Sequence, residues 1–541
     1  MRCILNCRLR KFLGSLAPVA LGLGGASGTS GCYSENCAEV FLCESPSPQP
    51  SPCDGDPATA PALDECGVFV SGHGDDKSPG TRAAPVKTLQ YAVGLASSGR
   101  GDGQAATRRV YACGETFEEA ISLPSGVDLW GGRGCEVGGD WSYGSSFDGP
   151  NHPTTIAPPL GIPLRVIDVG QDAMSTIFGV RAVAAAGSAS DGKSSIAMIL
   201  SPGARATVRE SAIVAGNGKD GEAGEDAPSI RATDGMVGND GANACTADAA
   251  VGALPVVTVC DDGIESTGGY GGDGGLDVGG DGTPGQPQPA ENPDGKGRAG
   301  TGASSAPCLA GTNGADGANS GRAGGAAGEG YLTIDGWMGA RGEDGKRGGV
   351  GQGGGGGGGS KSRGSMVACP AGRPQRGAAG GSGGSGGCGG KGGRGGGYGG
   401  ASIAIVALED SEIELDATLV LAGNGGKGGV GGTGQLGGIG RVGARGGYGY
   451  PGTTIWEGCR GGAGGNGGRG GDAGGGLGGA SVGIAYVVPN MAIRPGTTIE
   501  AAQPGDGGSA GNADVNDEVG KGASGPSGQL YRFGATNEPP R

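Results

Sequence analysis

The chain has 541 residues, of which 134 are glycine, about a quarter against a usual share of roughly 7%. Hydrophobic residues make up 35% and aromatics 4%, too little for several ordinary cores, so a compact α/β enzyme of this length is excluded. Two histidines, His73 and His152, argue against a histidine-based triad or a multi-histidine metal site, and a net charge of −15 argues against nucleic acid as a partner.

Residues 1–31 read as a signal peptide. Arg2, Arg8, Arg10 and Lys11 form a basic start, and Phe12 to Leu23 is an apolar stretch well short of the roughly 20 residues that span a bilayer. Small residues then lead to Thr29-Ser30-Gly31-Cys32. This resembles the signal peptide of bacterial lipoproteins, with Thr29 where that family usually has leucine. The resemblance implies lipidation of Cys32, a membrane partner through the lipid, and a place on the outer membrane or cell surface. The alternative is plain secretion.

Without Cys3, Cys7 and Cys32 the count is an even twelve, as expected of disulfides in an exported chain. Pairing of near neighbours favours Cys53–Cys66, Cys113–Cys135, Cys245–Cys260 and Cys369–Cys388. There is no CxxC pair, which excludes a zinc ribbon.

Residues 32–62 form a linker whose Ser45–Pro52 run is extended and semi-rigid. Residues 63–221 follow as an N-terminal cap and first coils. Gly67-Val68-Phe69-Val70-Ser71 is a short strand, and 72–81 is a turn-rich loop. Pro85 to Val93 starts an amphipathic helix with Leu89, Ala92, Val93 and Ala96 on one side. Pro79-Gly80-Thr81 and Lys87-Thr88-Leu89-Gln90 resemble the opening of a domain-of-unknown-function family that begins right-handed parallel β-helices of the pectin-lyase-like type. The likeness covers about 67–132 and implies a fold and no activity.

Internal repeats point to the same architecture. Residues 194–221, 401–428 and 480–507 align, with apolar pairs Ile196/Met198, Ile403/Ile405 and Val482/Ile484, and later Ile213, Val420 and Ile499. Between them Val208 and Leu415 agree, and Ile493 slips by one. Such alternation predicts strands with one buried face, stacked coil on coil. The fold class expected is mainly β, a right-handed parallel β-helix with long glycine-rich insertions.

Those insertions are 222–400 and 429–479, which hold 60 and 26 of the glycines. Each leaves after a Gly-Asn-Gly, so the two should emerge on one side and lie together. Glycine recurs every third residue over 336–357, 377–395, 425–452 and 458–470. A chain with three residues per turn would put these glycines on one stripe and let neighbouring backbones approach. The expectation is therefore either a bundle of polyglycine-II-like helices or a disordered loop. Residues 508–541 read as a loose polar tail.

Chemistry-bearing residues are few. Asp75 and Asp76 are weak candidates for a metal, and the commoner role of such a pair is to cap a turn. Gly271 to Asp277 approaches a calcium-binding repeat but does not recur. Asp168, Asp172 and Arg181 could serve polysaccharide cleavage on a β-helix face, and equally could be a solvated strand face. Trp130, Trp141, Tyr143 and Phe147 are expected to pack against the helix. No cofactor is implied. The chain is thus expected to be a non-enzymatic exported surface protein with a structural, adhesive or interaction role. Its partners would be extracellular polysaccharide or another surface protein. The alternatives are a polysaccharide lyase, epimerase or carbohydrate binder, and a protein that binds ice or another ordered solid.

Overall fold

The computed structural model describes residues 51–101, 105–135, 139–144, 152–170, 172–246, 248–363, 369–514 and 516–534. The signal peptide, Cys32, most of the linker and Phe147 lie outside these residues.

Strand β1 (Val68–Val70) and helix α1 (Leu89–Ser98) open the fold. Strands then follow in a cycle of three: β2 (Arg109–Cys113), β3 (Thr116–Phe117) and β4 (Ile121–Pro124); β5 (Asp128–Arg133), β6 (Thr154–Ile156) and β7 (Leu164–Ile167); β8 (Ser175–Phe178), β9 (Val180–Ala184) and β10 (Ser195–Leu200); β11 (Arg205–Arg209) and β12 (Ala212–Ala215). The first insertion contributes two antiparallel hairpins, β13 (Val257–Val259) with β14 (Glu265–Thr267), and β15 (Tyr331–Thr333) with β16 (Gly336–Met338). The cycle resumes with β17 (Ser402–Ala407), β18 (Glu412–Asp416) and β19 (Leu419–Ala422), and ends with β20 (Ser481–Tyr486), β21 (Asn490–Ile493), β22 (Thr498–Ala501) and β23 (Ser527–Arg532).

The cycle builds three parallel sheets, ordered β1-β2-β5-β8-β11-β18-β21, β3-β6-β9-β12-β19-β22 and β4-β7-β10-β17-β20-β23. The protein is therefore mainly β with parallel pairing. Strands separated by the insertions are direct neighbours: Ile196 pairs with Ile403 and Ile403 with Val482, and Ile213 pairs with Val420 and Val420 with Ile499. The one-residue slip is real, because Leu415 pairs with Ile493 across a connection one residue shorter. Inside the three sheets, Val110, Leu123, Leu129, Ile177, Met198, Val208, Ile405 and Leu415 share one apolar cluster. Helix α1 covers one end of this cluster with the side chains the periodicity selected, Leu89, Ala92, Val93 and Ala96.

The expectation of one buried face fails for β10 and β17, which are buried throughout, and for β20, which is buried at every position but Tyr486. Ile196, Ile403 and Val482 turn outward and join a second cluster with Trp337, Leu477 and Phe533. The insertions fold back over this sheet, so its outer face is covered as well, as parallel sheets generally require. Two further expectations change. Trp130, Trp141 and Tyr143 pack with Phe69, Tyr111 and Phe178 beneath Ala60, Ala62 and Cys66, not against α1. Residues 53–62 thus belong to the folded body, where Arg109 Nη1 and Arg133 Nη2 donate to Cys53 O and Pro57 O. The tail is not loose over its described part, since β23 extends the third sheet and Phe533 is buried.

The insertions are extended segments bonded to one another. Segment 458–479 shows the pattern. Its N–H groups reach 424–448, as in Gly467 N to Gly438 O; 340–358, as in Gly468 N to Gly349 O; and 520–526, as in Gly475 N to Gly520 O. Its carbonyls accept from 377–400, as in Gly387 N to Gly465 O; 309–326, as in Gly317 N to Asn466 O; and 503–511, as in Gly508 N to Gly476 O. Donors recur every third residue along each segment, and parallel and antiparallel neighbours both occur.

Glycine content follows coverage. Segment 218–244 lies at the edge and mostly carries one glycine in three, whereas 377–396 and 424–448 carry mostly two. The seven-glycine run 353–359 is buried throughout, and successive N–H groups go to Gln286, Gly384, Thr312, Thr283, Gly381, Leu309 and Gly280. A side chain has no room on any side there: a Cβ on Gly354 would lie 2.0 Å from Gly462 O, and one on Gly356 would lie 1.7 Å from Tyr270 O.

Among the described residues there are five disulfides. Cys53–Cys66 and Cys113–Cys135 are as expected. Cys245 instead joins Cys369 and Cys260 joins Cys388, while Cys308 joins Cys459. The neighbour rule fails because the segments run side by side and bring together cysteines 124 to 151 residues apart.

Candidate interaction surface and cleft

The corner where the insertions leave is built from stacked serines. Ser195, Ser402 and Ser481 are in register and buried. Ser195 Oγ accepts from Gly216 N, and Ser402 and Ser481 Oγ donate to Gly216 O and Gly423 O at 2.7 and 2.9 Å. This aims both insertions the same way, and 218–244 then runs parallel to 424–448.

Along that pair, side chains finish what the backbone leaves open. Asn217, Asp220, Asp226, Asp234, Asp240 and Asn243 accept the N–H of Asn424, Lys427, Thr433, Ile439, Arg445 and Tyr448 at 2.7–3.0 Å. A second ladder, Asn313, Asp316 and Asn319, does the same for Ala463, Asn466 and Arg469. Each accepting carboxylate or amide satisfies a backbone donor that would otherwise face solvent or a neighbour unpaired. The same two segments also carry exposed apolar side chains. Ile230, Met236, Val237, Leu436, Ile439 and Val442 are all between 42% and 76% exposed. At about 3.1 Å per residue, equivalent rungs lie roughly 9 Å apart. The result is a surface of acidic and apolar side chains on two parallel segments whose backbones are held by their neighbours.

The second feature is a cleft of about 480 Å³ where the bundle meets the strands. Lys193 enters from the turn before β10, Glu222 and Glu225 from 218–244, Arg341 from the chain after β16, and Arg394 and Tyr398 from 377–400. Lys193 Nζ lies 3.0 Å from Glu222 Oε2 and 4.7 Å from the Tyr398 ring centre. Trp337 meets that ring edge-on at 5.7 Å. Burial, with Asp191 nearby, pushes the Tyr398 hydroxyl above its ordinary pKa, so it stays protonated and can donate. Arg394 pairs with Asp344 at 2.7 Å, and the Gly395 N–H holds the Asp344 carboxyl below its usual range. Arg341 donates to Gly395 O at 3.0 Å.

The residues singled out in the sequence do not converge. Asp76 accepts from Lys87 N, Thr88 N and the Thr88 hydroxyl, which anchors the start of α1, and Asp75 accepts from Lys77 N. Asp273 accepts from Gly252 N. Asp168 closes its own turn onto Gly170 N, Asp172 pairs with Arg205 at 2.8 Å, and Arg181 is exposed on β9. Cys113, Glu115 and Cys135 lie together, but both sulfurs are spent in the disulfide. The cleft residues carried no signal in sequence, since they come from four distant segments. The Asx ladder was visible in principle as Asp or Asn in phase with the glycines of 218–244.

The chain matches no protein-family model, and no curated protein or solved structure is similar enough to it to count as a match. Among the described residues no helix is long and apolar enough to cross a membrane. The five disulfides are consistent with an oxidising, extracellular setting.

Proposed function

We propose that this is an exported surface protein, anchored by a lipid on Cys32, with a structural or adhesive role. In this reading the three parallel sheets form a right-handed β-helix, and the insertions form a polyglycine-II-like bundle mounted on one of its faces. The cyclic strand order and three-residue donor spacing support that reading.

The observation that carries the functional reading is the strip along 218–244 and 424–448. Exposed Leu436, Ile439 and Val442 recur every third residue on 424–448, and Met236 and Val237 are exposed on the neighbouring 218–244, on backbones held by regular hydrogen bonds. An exposed apolar strip on a rigid body marks a contact surface, because little conformational entropy is lost when it docks. The test compares the mature chain with a variant carrying Leu436→Ser, Ile439→Ser and Val442→Ser for retention on intact cells and isolated cell-surface material. Retention lost by the variant supports the reading, and equal retention overturns it. Fatty-acid labelling of the whole precursor against Cys32→Ser tests the anchor separately; equal or absent labelling in both rejects it.

A further inference from the structure

The two ends of the three-sheet stack differ. At one end α1 lies across the apolar cluster with Leu89, Ala92, Val93 and Ala96, all buried. At the other end β21, β22 and β23 each have a strand on one side only among the described residues. Columns of core residues run down the stack and stop there. Val208 pairs with Leu415 and Leu415 with Ile493; Met198 pairs with Ile405, Ile405 with Ile484, and Ile484 with Leu530. Every earlier member of both columns is fully buried, yet Ile493 is 42% and Leu530 44% exposed. Met491 and Ile499 end two more columns half-buried against the cluster. Residues placed by register to face the core thus meet water at the last coil.

The backbone is open at the same place. Asn490 and Arg494 N–H donate to Ser411 O and Leu415 O on the side of β18. Successive residues of a parallel strand point to alternate sides, so the N–H and C=O of Met491 and Ile493 point at the open edge. Thr498 N–H donates to Thr418 O, which turns those of Ile499 to the open edge of β22. Stacked coils need a polar cap at each end, and this end presents apolar side chains inside strand edges instead.

Whatever covers it must match three strand edges and an apolar centre together. Residues 535–541, which follow the last described residue of this coil, include no Val, Leu, Ile, Met or aromatic side chain. A second copy presents the same three edges around the same apolar centre, and a two-fold axis across the end lays strand on strand antiparallel. Head-to-tail stacking, which would grow into a fibre, is blocked because α1 closes the opposite end, so the association stops at two. We infer that the protein forms a two-fold dimer, end to end through β21, β22 and β23, with Ile493 and Leu530 at its centre.

The test is sedimentation equilibrium over a dilution series of the mature chain carrying Cys32→Ser, which keeps lipid out of the measurement. The mass should be twice that of one chain and fall to one chain on dilution. Ile493→Asp and Leu530→Asp should each weaken association at least about tenfold, because each buries a carboxylate without a partner. Leu160→Asp, 74% exposed between β6 and β7 and several coils away, should leave it unchanged. Ile493 and Leu530 are both exposed in the single chain, and unchanged amide exchange in β10 and β17 checks that the variants fold. A chain ending at Gly534 should dimerise as the longer one does; dimerisation gained only on that truncation would show the chain covering its own end, and would overturn the inference. A single-chain mass at every concentration, assemblies that grow beyond two chains, or a dimer indifferent to both aspartates would overturn it as well. The strip and the lipid anchor have their own tests, whose variants leave β21, β22 and β23 untouched.

Discussion

Replacing one enclosed glycine by alanine should disrupt the bundle far more than any surface change. At Gly383 the added Cβ would sit 1.9 Å from Gly354 O and 2.6 Å from its carbonyl carbon, where ordinary contact begins near 3.4 Å. The segments 377–400 and 340–360 must therefore separate by about 1.5 Å locally. Gly383 N to Gly269 O, Gly354 N to Gly384 O and Gly269 N to Gly354 O, now 2.8–2.9 Å, would then pass beyond hydrogen-bonding reach. Each broken buried bond costs about 1–3 kcal/mol, so Gly383→Ala should cost about 3–9 kcal/mol. At roughly 2–4 °C per kcal/mol, differential scanning calorimetry should show the bundle transition lowered by at least about 6 °C. Gly321→Ala is the control. Nothing lies within 4 Å of its added Cβ, and its cost should stay within about 0.5 kcal/mol. If Gly383→Ala melted with the wild type, the close backbone packing would be wrong.

Asp234→Ala removes the acceptor of Ile439 N–H and the partner of Arg441, and should destabilise that rung by about 1–2 kcal/mol. Asp234→Asn keeps an acceptor oxygen and should recover most of the loss, as read by local exchange at Ile439. Replacing Cys308 and Cys459 by serine opens a link spanning 151 residues and should cost at most about 5 kcal/mol by chain entropy, measured as a lowered denaturant midpoint. Asp261 is held down to about 2, first by its bond to Arg347 and then by that to Lys391. Its contribution is present above its unfolded value of about 3.9 and is lost as pH falls through about 2. The pair is surface-exposed, so the effect is small; Asp261→Asn should flatten the stability profile between pH 4 and 2 and leave it unchanged in shape above pH 5.

The strand core was legible because inward residues repeat with the cycle: Ile213, Val420 and Ile499 align in sequence and pair in space. The same alternation misled at Ile196, since the partner that buries its outward face, Trp337, lies in an insertion. Tracts such as 377–395 announced themselves because two glycines per triplet mark a segment covered on most sides. Segment 218–244 was missed as a member because one covered side needs one glycine per triplet, and the Pro228-Ser229-Ile230-Arg231 interruption hides the phase. Disulfide pairing within the insertions was beyond reach for a related reason, whereas Cys53–Cys66 and Cys113–Cys135 followed from proximity in sequence. Cys388 takes the third place of a Gly-Gly-x triplet, and only the lateral order of segments sets Cys260 beside it. The cleft depends on that same lateral order, so no local pattern could have pointed to Arg341 or Tyr398.

The central claim is that the glycine-rich insertions form one hydrogen-bonded body, and amide hydrogen exchange on the wild-type protein tests it most directly. Peptides covering 353–359, 381–396 and 461–476 should exchange at least about a hundredfold more slowly than an unfolded chain, and as slowly as those covering β10 and β17. Exchange at the unfolded rate in these three segments, with the strands still protected, would contradict it.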